Sequence, residues 1–242
     1  MQEWFDRIKE LFVLNFINDD RWRFLLNGLG TTLRITFFAL LLGIAIGIVV
    51  SIIRSTHDKN AGAVRNRALR FLLNFFNGVC KIYLTIIRGT PVVVQLMIFY
   101  FVILVSIKNG ELIGIVAFGI NSGAYLAEIF RSGIMSVDNG QFEAGRSLGF
   151  NYIQTMQYII IPQAFKTILP TLANEFIVLL KETAVVGYVA VQDLTKAGDI
   201  IRGRTFSAFM PLIAVALVYL ALVMFFTRLV GILERRLRNS ER

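Results

Sequence analysis

The sequence predicts an all-α polytopic membrane protein of about five transmembrane helices. Three observations carry that expectation. The 242 residues are 56% hydrophobic and only 17% charged, well to the apolar side of soluble domains. Several runs approach the roughly 20 apolar residues that a bilayer crossing needs. The stretches between them collect Lys and Arg, as cytoplasmic loops do. The length suits a single transmembrane domain over residues 1–242, with no room for a second soluble domain.

The first uncharged run is ITFFALLLGIAIGIVVSII, Ile35–Ile53. Its Gly43 and Gly47 form a small-xxx-small pair, a spacing that allows close helix packing in lipid. The stretch from Arg54 to Arg70, which contains Arg65 and Arg67, reads as a cytoplasmic loop. The next segment, FLLNFFNGVCKIYLTII, is interrupted by Asn74, Asn77 and Lys81. It reads as interfacial, or as a lead into a span. The second span is placed at Thr90–Ile107, the third at Leu112–Phe130, the fourth at 165–180 and the fifth at 208–230. The fourth is the least apolar, with Pro170, Asn174 and Glu175 inside it. VQDLTKAGDIIRGRT, before the fifth, reads as a polar loop. Five crossings put the termini on opposite sides. With the Arg54–Arg70 stretch inside, the amino terminus lies outside and the carboxyl terminus in the cytoplasm. Residues 1–30 form an amphipathic N-terminal segment, and the mixed charges of MQEWFDRIKELF do not suit a cleavable signal peptide.

Other classes are disfavoured by what the chain lacks. The net charge of +9 suits anionic headgroups rather than nucleic acid, for which no polar recognition element is present. Cys80 and His57 are the only residues of their kinds, so no intrachain disulfide, metal centre or histidine-based triad is expected. Neither a Walker A nor a GxGxxG pattern occurs. No catalytic residues and no cofactor of its own are expected.

Residues 136–162 are too polar for the bilayer core. Asp138 is placed to cap a helix, with Gln141 three residues on, and Gly149 follows its last turn, where a left-handed residue is wanted. Asn151 caps a second helix, with Gln154 three residues on. Pro162 is expected to end or kink that helix. The result is two short surface helices joined by a three-residue turn.

This stretch resembles the EAA motif of ABC-importer permeases: Glu-Ala-Ala, three residues, Gly, nine residues, Ile, one residue, Leu-Pro. Glu143, Ala144, Gly149, Ile159 and Pro162 fall at those spacings. Gly145 stands for the second alanine, at a helix-propensity cost of up to about 1 kcal/mol, and Ile161 stands for leucine. RGTPVVVQLMIFYF (88–101), SGAYLAEIFRSGIMSVDNGQFEAG (122–145) and LLKETAVVGYVAVQDL (179–194) are similar to segments of the polar-amino-acid permeases, the histidine, glutamine and arginine type. The resemblance implies a type I ABC-importer permease fold with a cytoplasmic coupling helix pair, in a bacterial cytoplasmic (inner) membrane. It implies an ABC ATPase subunit that holds ATP and Mg, a second permease copy or paralogue, and an extracytoplasmic amino-acid-binding protein. Glu143, Ala144, Arg146, Gly149, Ile159 and Pro162 are then the ATPase-coupling residues.

An ionisable group within a span is costly, which makes function its default reading. Asn121, Tyr125 and Glu128 share one face of the third span. Glu128 either receives a substrate ammonium or pairs with Arg131 or Arg88 to hold helices together. Lys181 and Glu182 either meet the two ends of a zwitterion or act as interface anchors. Asn174 and Glu175 are further candidates, and Arg88-Gly89-Thr90-Pro91 reads as a helix break. The expected function is alternating-access import of a polar amino acid, with Glu128 leaning toward a basic one. The alternative is an ion-coupled secondary transporter or channel that uses Glu128 as its cation site and needs no docking helix.

Overall fold

A computed structural model describes residues 1–60 and 66–239, and among these residues the regular structure is helical throughout. Helix α1 (Gln2–Phe12) buries none of its residues. A π turn, Val13–Ile17, follows it. Asn15 in that turn is fully buried, donates to Leu11 O (2.7 Å) and Ser207 Oγ (3.3 Å), and accepts from Thr205 Oγ1 (2.8 Å).

Helix α2 (Trp22–Asn60) is one 39-residue element. The loop expected from Arg54 onward is therefore helical as far as Asn60; Arg65 lies outside the described residues. Charge marks where an apolar run stops, but Arg and Lys are good helix formers, so the helix continues past it.

Helix α3 (Arg67–Gly89) is capped by Asn66, which accepts from Ala68 N and Leu69 N. It is long and apolar enough to cross a membrane, which corrects the second span. Asn74, Asn77 and Lys81 do not interrupt it. With Thr85 and Arg88 they recur on one helical face, while Phe71, Phe75, Val79, Ile82 and Ile86 are exposed on the other. Thr90 is extended (φ −122°, ψ 146°) before Pro91, as a residue preceding proline prefers. Helix α4 (Val92–Ile98) and the π turn after it reach only Ile103, so the expected Thr90–Ile107 span is too short to cross alone.

Helix α5 (Gly110–Met135) contains the third predicted span. Helices α6 (Asn139–Ser147) and α7 (Tyr152–Thr155) precede α8 (Ile161–Glu182), which lies where the fourth span was placed and has Pro170 inside it. The predicted polar loop after it is in fact helix α9 (Leu194–Thr205), because Asp193 caps it by accepting from Thr195 N and Lys196 N. Helix α10 (Phe209–Asn239) contains the fifth span. Among the described residues four helices are long and apolar enough to cross a membrane, α2, α3, α5 and α10; α8 falls short in composition.

The chain divides into two compact units. The first is Met1–Ala39, Val93–Phe118 and Ile177–Leu229. In it, buried polar groups of α2 are satisfied: Thr32 Oγ1 accepts from Leu194 N (3.1 Å), and Thr36 Oγ1 lies 3.4 Å from Thr183 Oγ1. The second is Leu40–Val92, Gly119–Phe176 and Val230–Arg242. Val50, Cys80, Leu84, Ala124 and Ala127 form a core in it, with Ile46, Ile53, Tyr83 and Ile87 packed on them. The predicted small-xxx-small pair closes α2 onto α5 here. A Cβ on Gly43 would stand 2.2 Å from Ser122 Oγ, and one on Gly47 would stand 2.9 Å from Leu126 Cβ and 3.0 Å from Ala127 N.

Candidate functional site

The loop between α5 and α8 is built largely as its sequence expects. Asp138 caps α6: its side chain accepts from Gly140 N (2.6 Å) and its carbonyl from Gln141 N (3.0 Å). The helix ends in a Schellman pair, with Phe150 N donating to Gly145 O (3.1 Å) and Gly149 N to Arg146 O (2.9 Å). Gly149 has φ +84°, the left-handed region that costs glycine least. Asn151 and Gln154 form a complete capping box, each side chain accepting from the other's backbone N–H at 2.9 Å.

One half of an expectation fails: the helix does not end at Pro162. Helical backbone runs on through Pro162 from α7 into α8. A π turn, Met156–Ile160, joins α7 to α8, and Pro162 sits in the first turn of α8. The wide turn absorbs the hydrogen bond that proline cannot donate. The predicted second surface helix is thus the foot of α8. Glu143, Ala144 and Arg146 are exposed on α6, and Gly145 between them is buried.

Glu128, near the end of α5, is held by two arginines. Its Oε1 accepts from Arg54 Nη1 at 2.5 Å, and its Oε2 from Arg131 Nε and Nη2, each at 3.3 Å. Arg131 also lies 3.7 Å from Asp58. The Arg54 and Glu128 side chains are only 16% and 24% exposed, so the pair is partly desolvated and less screened than a surface pair, and removing one partner would leave the other charge uncompensated. Arg88 does not reach Glu128 as a partner; its guanidinium stacks on the Tyr125 ring, 5.5 Å from the centroid. A cleft of about 510 Å³ is lined by Arg54, Lys81, Leu84, Arg88 and Glu128. It sets three cationic side chains beside one carboxylate.

Asn121 is buried on the same helix, while Asn174 on α8 is exposed. Asn121, Tyr125, Glu128 and Asn174 belong to the second unit. Lys181, exposed, and Glu182, half-buried, belong to the first. Sequence reasoning missed Arg54, having assigned it to a loop. Its place one residue past an uninterrupted apolar run was the available signal. It also missed a polar cleft in the first unit, lined by Asn27, Thr31, Tyr100, Lys108, Glu111 and Gln192. There Glu111 accepts from Arg34 Nη2 (2.9 Å) and Thr31 Oγ1 (3.3 Å). Among the described residues no three His, Cys, Asp or Glu side chains gather as a metal site would require.

The family described as "Binding-protein-dependent transport system inner membrane component" matches residues 61–239. The chain belongs to this family. Its members are transport components rather than catalysts. Relatives agree in length as well as sequence. The putative glutamine transport system permease protein GlnP of Rickettsia bellii is 37% identical over 217 residues, 88% of this chain and 93% of its own. The arginine transport system permease protein ArtQ of Bacillus subtilis is 34% identical over 221 residues, 90% and 94% of the two chains. A chain in a crystal structure of an amino acid ABC transporter with histidines superposes with a TM-score of 0.76 at 38% identity, over 88% of this chain and 94% of that one. A chain of the MetNI methionine ABC transporter, 20% identical, shares the fold with a TM-score of 0.73 over 91% of this chain and 99% of its own. The fold of this family member is that of a type I ABC-importer permease.

Proposed function

We propose that the chain is the permease subunit of an ATP-driven importer that carries a polar amino acid across the bacterial cytoplasmic membrane by alternating access. The observation that carries this reading is 37% identity over 88% of the chain with a permease named for glutamine transport. Helix α6 docks on a partner ABC ATPase, which holds ATP and Mg. The support for docking is local: Glu143, Ala144 and Arg146 are exposed on a helix fixed at both ends by caps. A second permease copy or paralogue completes the pathway, and an extracytoplasmic binding protein delivers the substrate. The amino terminus is outside and the carboxyl terminus cytoplasmic, which takes α8 as a fifth crossing beside α2, α3, α5 and α10; the basic residues that follow the apolar part of α2 support the inside assignment of the stretch after it.

Glu128 receives the substrate ammonium, with Arg54, Lys81 and Arg88 at hand for the carboxylate, and Asn121 and Tyr125 beside them on α5. Asn174, Lys181 and Glu182 are secondary candidates, and the exposed Lys181 suits an anchor better. Glu128→Gln in the complex reconstituted with its ATPase should raise the glutamine or arginine concentration needed for half-maximal ATPase stimulation by about tenfold, the scale of one charge-assisted bond. Complex yield should fall far less, since the amide keeps an oxygen that accepts from Arg54 or Arg131. Yield falling in step with stimulation would instead assign Glu128 to holding helices together.

A further inference from the structure

We propose that Thr155 is the positioning residue that seats the coupling helix, and that Gly145 and Thr155 are a matched pair. The inference rests on the importer reading for the role of α6, and deepens it. Helix α6 meets the foot of α8 at a place where a side chain is missing. A Cβ on Gly145 would stand 2.7 Å from Thr155 Cγ2, 3.0 Å from Thr155 Oγ1 and 3.0 Å from Ile159 Cδ1. Gly145 and Thr155 are both buried, the latter 1% exposed.

Thr155 cannot swing aside. Its Oγ1 donates to Asn151 O at 3.0 Å, which fixes the rotamer of a β-branched side chain and holds the methyl toward Gly145. Asn151 is itself locked by its capping box with Gln154. The Thr155 side chain, its methyl nearest, and the tip of Ile159 therefore occupy the space that alanine, the residue of the EAA pattern, would fill. A second tie lies at the other end of α6, where Gln163 Nε2 donates to Gln141 Oε1 (3.2 Å) and to Ile159 O (2.9 Å). Displacement of α6 passes into α8 through these two contacts. The departure at Gly145 is not a loosening of the docking helix; it is the half of a packing exchange whose other half is Thr155.

The test uses the whole complex of permease, ATPase and binding protein in proteoliposomes, with arginine and glutamine as the transport probes. Its readout is molecules taken up per ATP hydrolysed, which a loss of folded protein alone does not change. Gly145→Ala should lower that ratio by about tenfold through overpacking, while ATP hydrolysis persists. Thr155→Ser removes the methyl and keeps the hydroxyl, and alone should lower the ratio by about threefold, because it leaves a gap beside Gly145 where the seating contact was. The double variant should recover well above Gly145→Ala, toward the Thr155→Ser ratio, because the serine removes the tightest of the three approaches to a Cβ at 145 while Oγ1 and Ile159 remain. If Gly145→Ala does not accumulate, recovery of accumulation and ratio in the double variant carries the same meaning. A wild-type ratio in Gly145→Ala, or a double variant no better than Gly145→Ala, overturns the pairing. A wild-type chain that retains no ATPase on purification removes the importer reading and this inference with it.

Discussion

The Glu128 carboxylate is held from two sides, by Arg54 of α2 and by Arg131 of its own helix. A carboxylate in an apolar run announces itself, because its desolvation needs a reason. Its partners do not. Arg131 was within reach by helical spacing, but Arg54 lies 74 residues away and only the packing of α2 on α5 brings it there. The same limit applied to Arg88, whose cation stacks on Tyr125 rather than pairing with Glu128. A different carboxylate offers a pH test. Asp199 on α9 is held below the usual carboxylate range because Lys196 and Arg202 donate to it. A carboxyl with a depressed folded-state pKa stabilises the fold above its unfolded value, and that contribution is lost as pH falls through the folded value. Asp199→Asn should therefore lower the melting temperature slightly at neutral pH, with the gap to wild type closing in acid. The effect is small because the Asp199 side chain is 38% exposed and its ion pairs are screened by solvent. A gap that widens on acidification contradicts the assignment.

At the scale of elements, caps were the most legible feature. Asp138, Gly149 and Asn151 act locally, within four residues, so their roles follow from sequence alone. Amphipathic spans were not. The polar residues of α3 fall on one face, and a search for uniformly apolar runs passes over such a helix. The π turn before Pro162 also escaped, since nothing in MQYII distinguishes a wide turn from a regular one. The packing of α2 on α5 yields a sharper expectation. Gly47 faces Leu126 Cβ and the Ala127 backbone, which cannot rotate away, whereas the nearest atom to Gly43 is the Ser122 hydroxyl, which makes no hydrogen bond among the described residues. Gly47→Ala should cost about 2 kcal/mol through overpacking, and Gly43→Ala clearly less. Thermal denaturation of the two variants in detergent checks the order; the reverse order, or no loss at Gly47, contradicts the close approach.

For the whole molecule, composition alone gave class and approximate span count, because a bilayer permits few architectures. Which segments cross was less legible, since α3 replaced the Thr90–Ile107 run and α8 carries too many polar residues to stand among the apolar helices. The functional reading came from a twenty-residue pattern, and family membership over residues 61–239 agrees with it. The central claim is that transport is driven by ATP through a docked partner. Uptake of labelled arginine and glutamine by proteoliposomes containing the permease, its ATPase and its binding protein tests it directly. Uptake should require ATP inside the compartment that faces α6, and should survive an ionophore that collapses the proton gradient. Uptake that persists without the ATPase and vanishes with the proton gradient would contradict it.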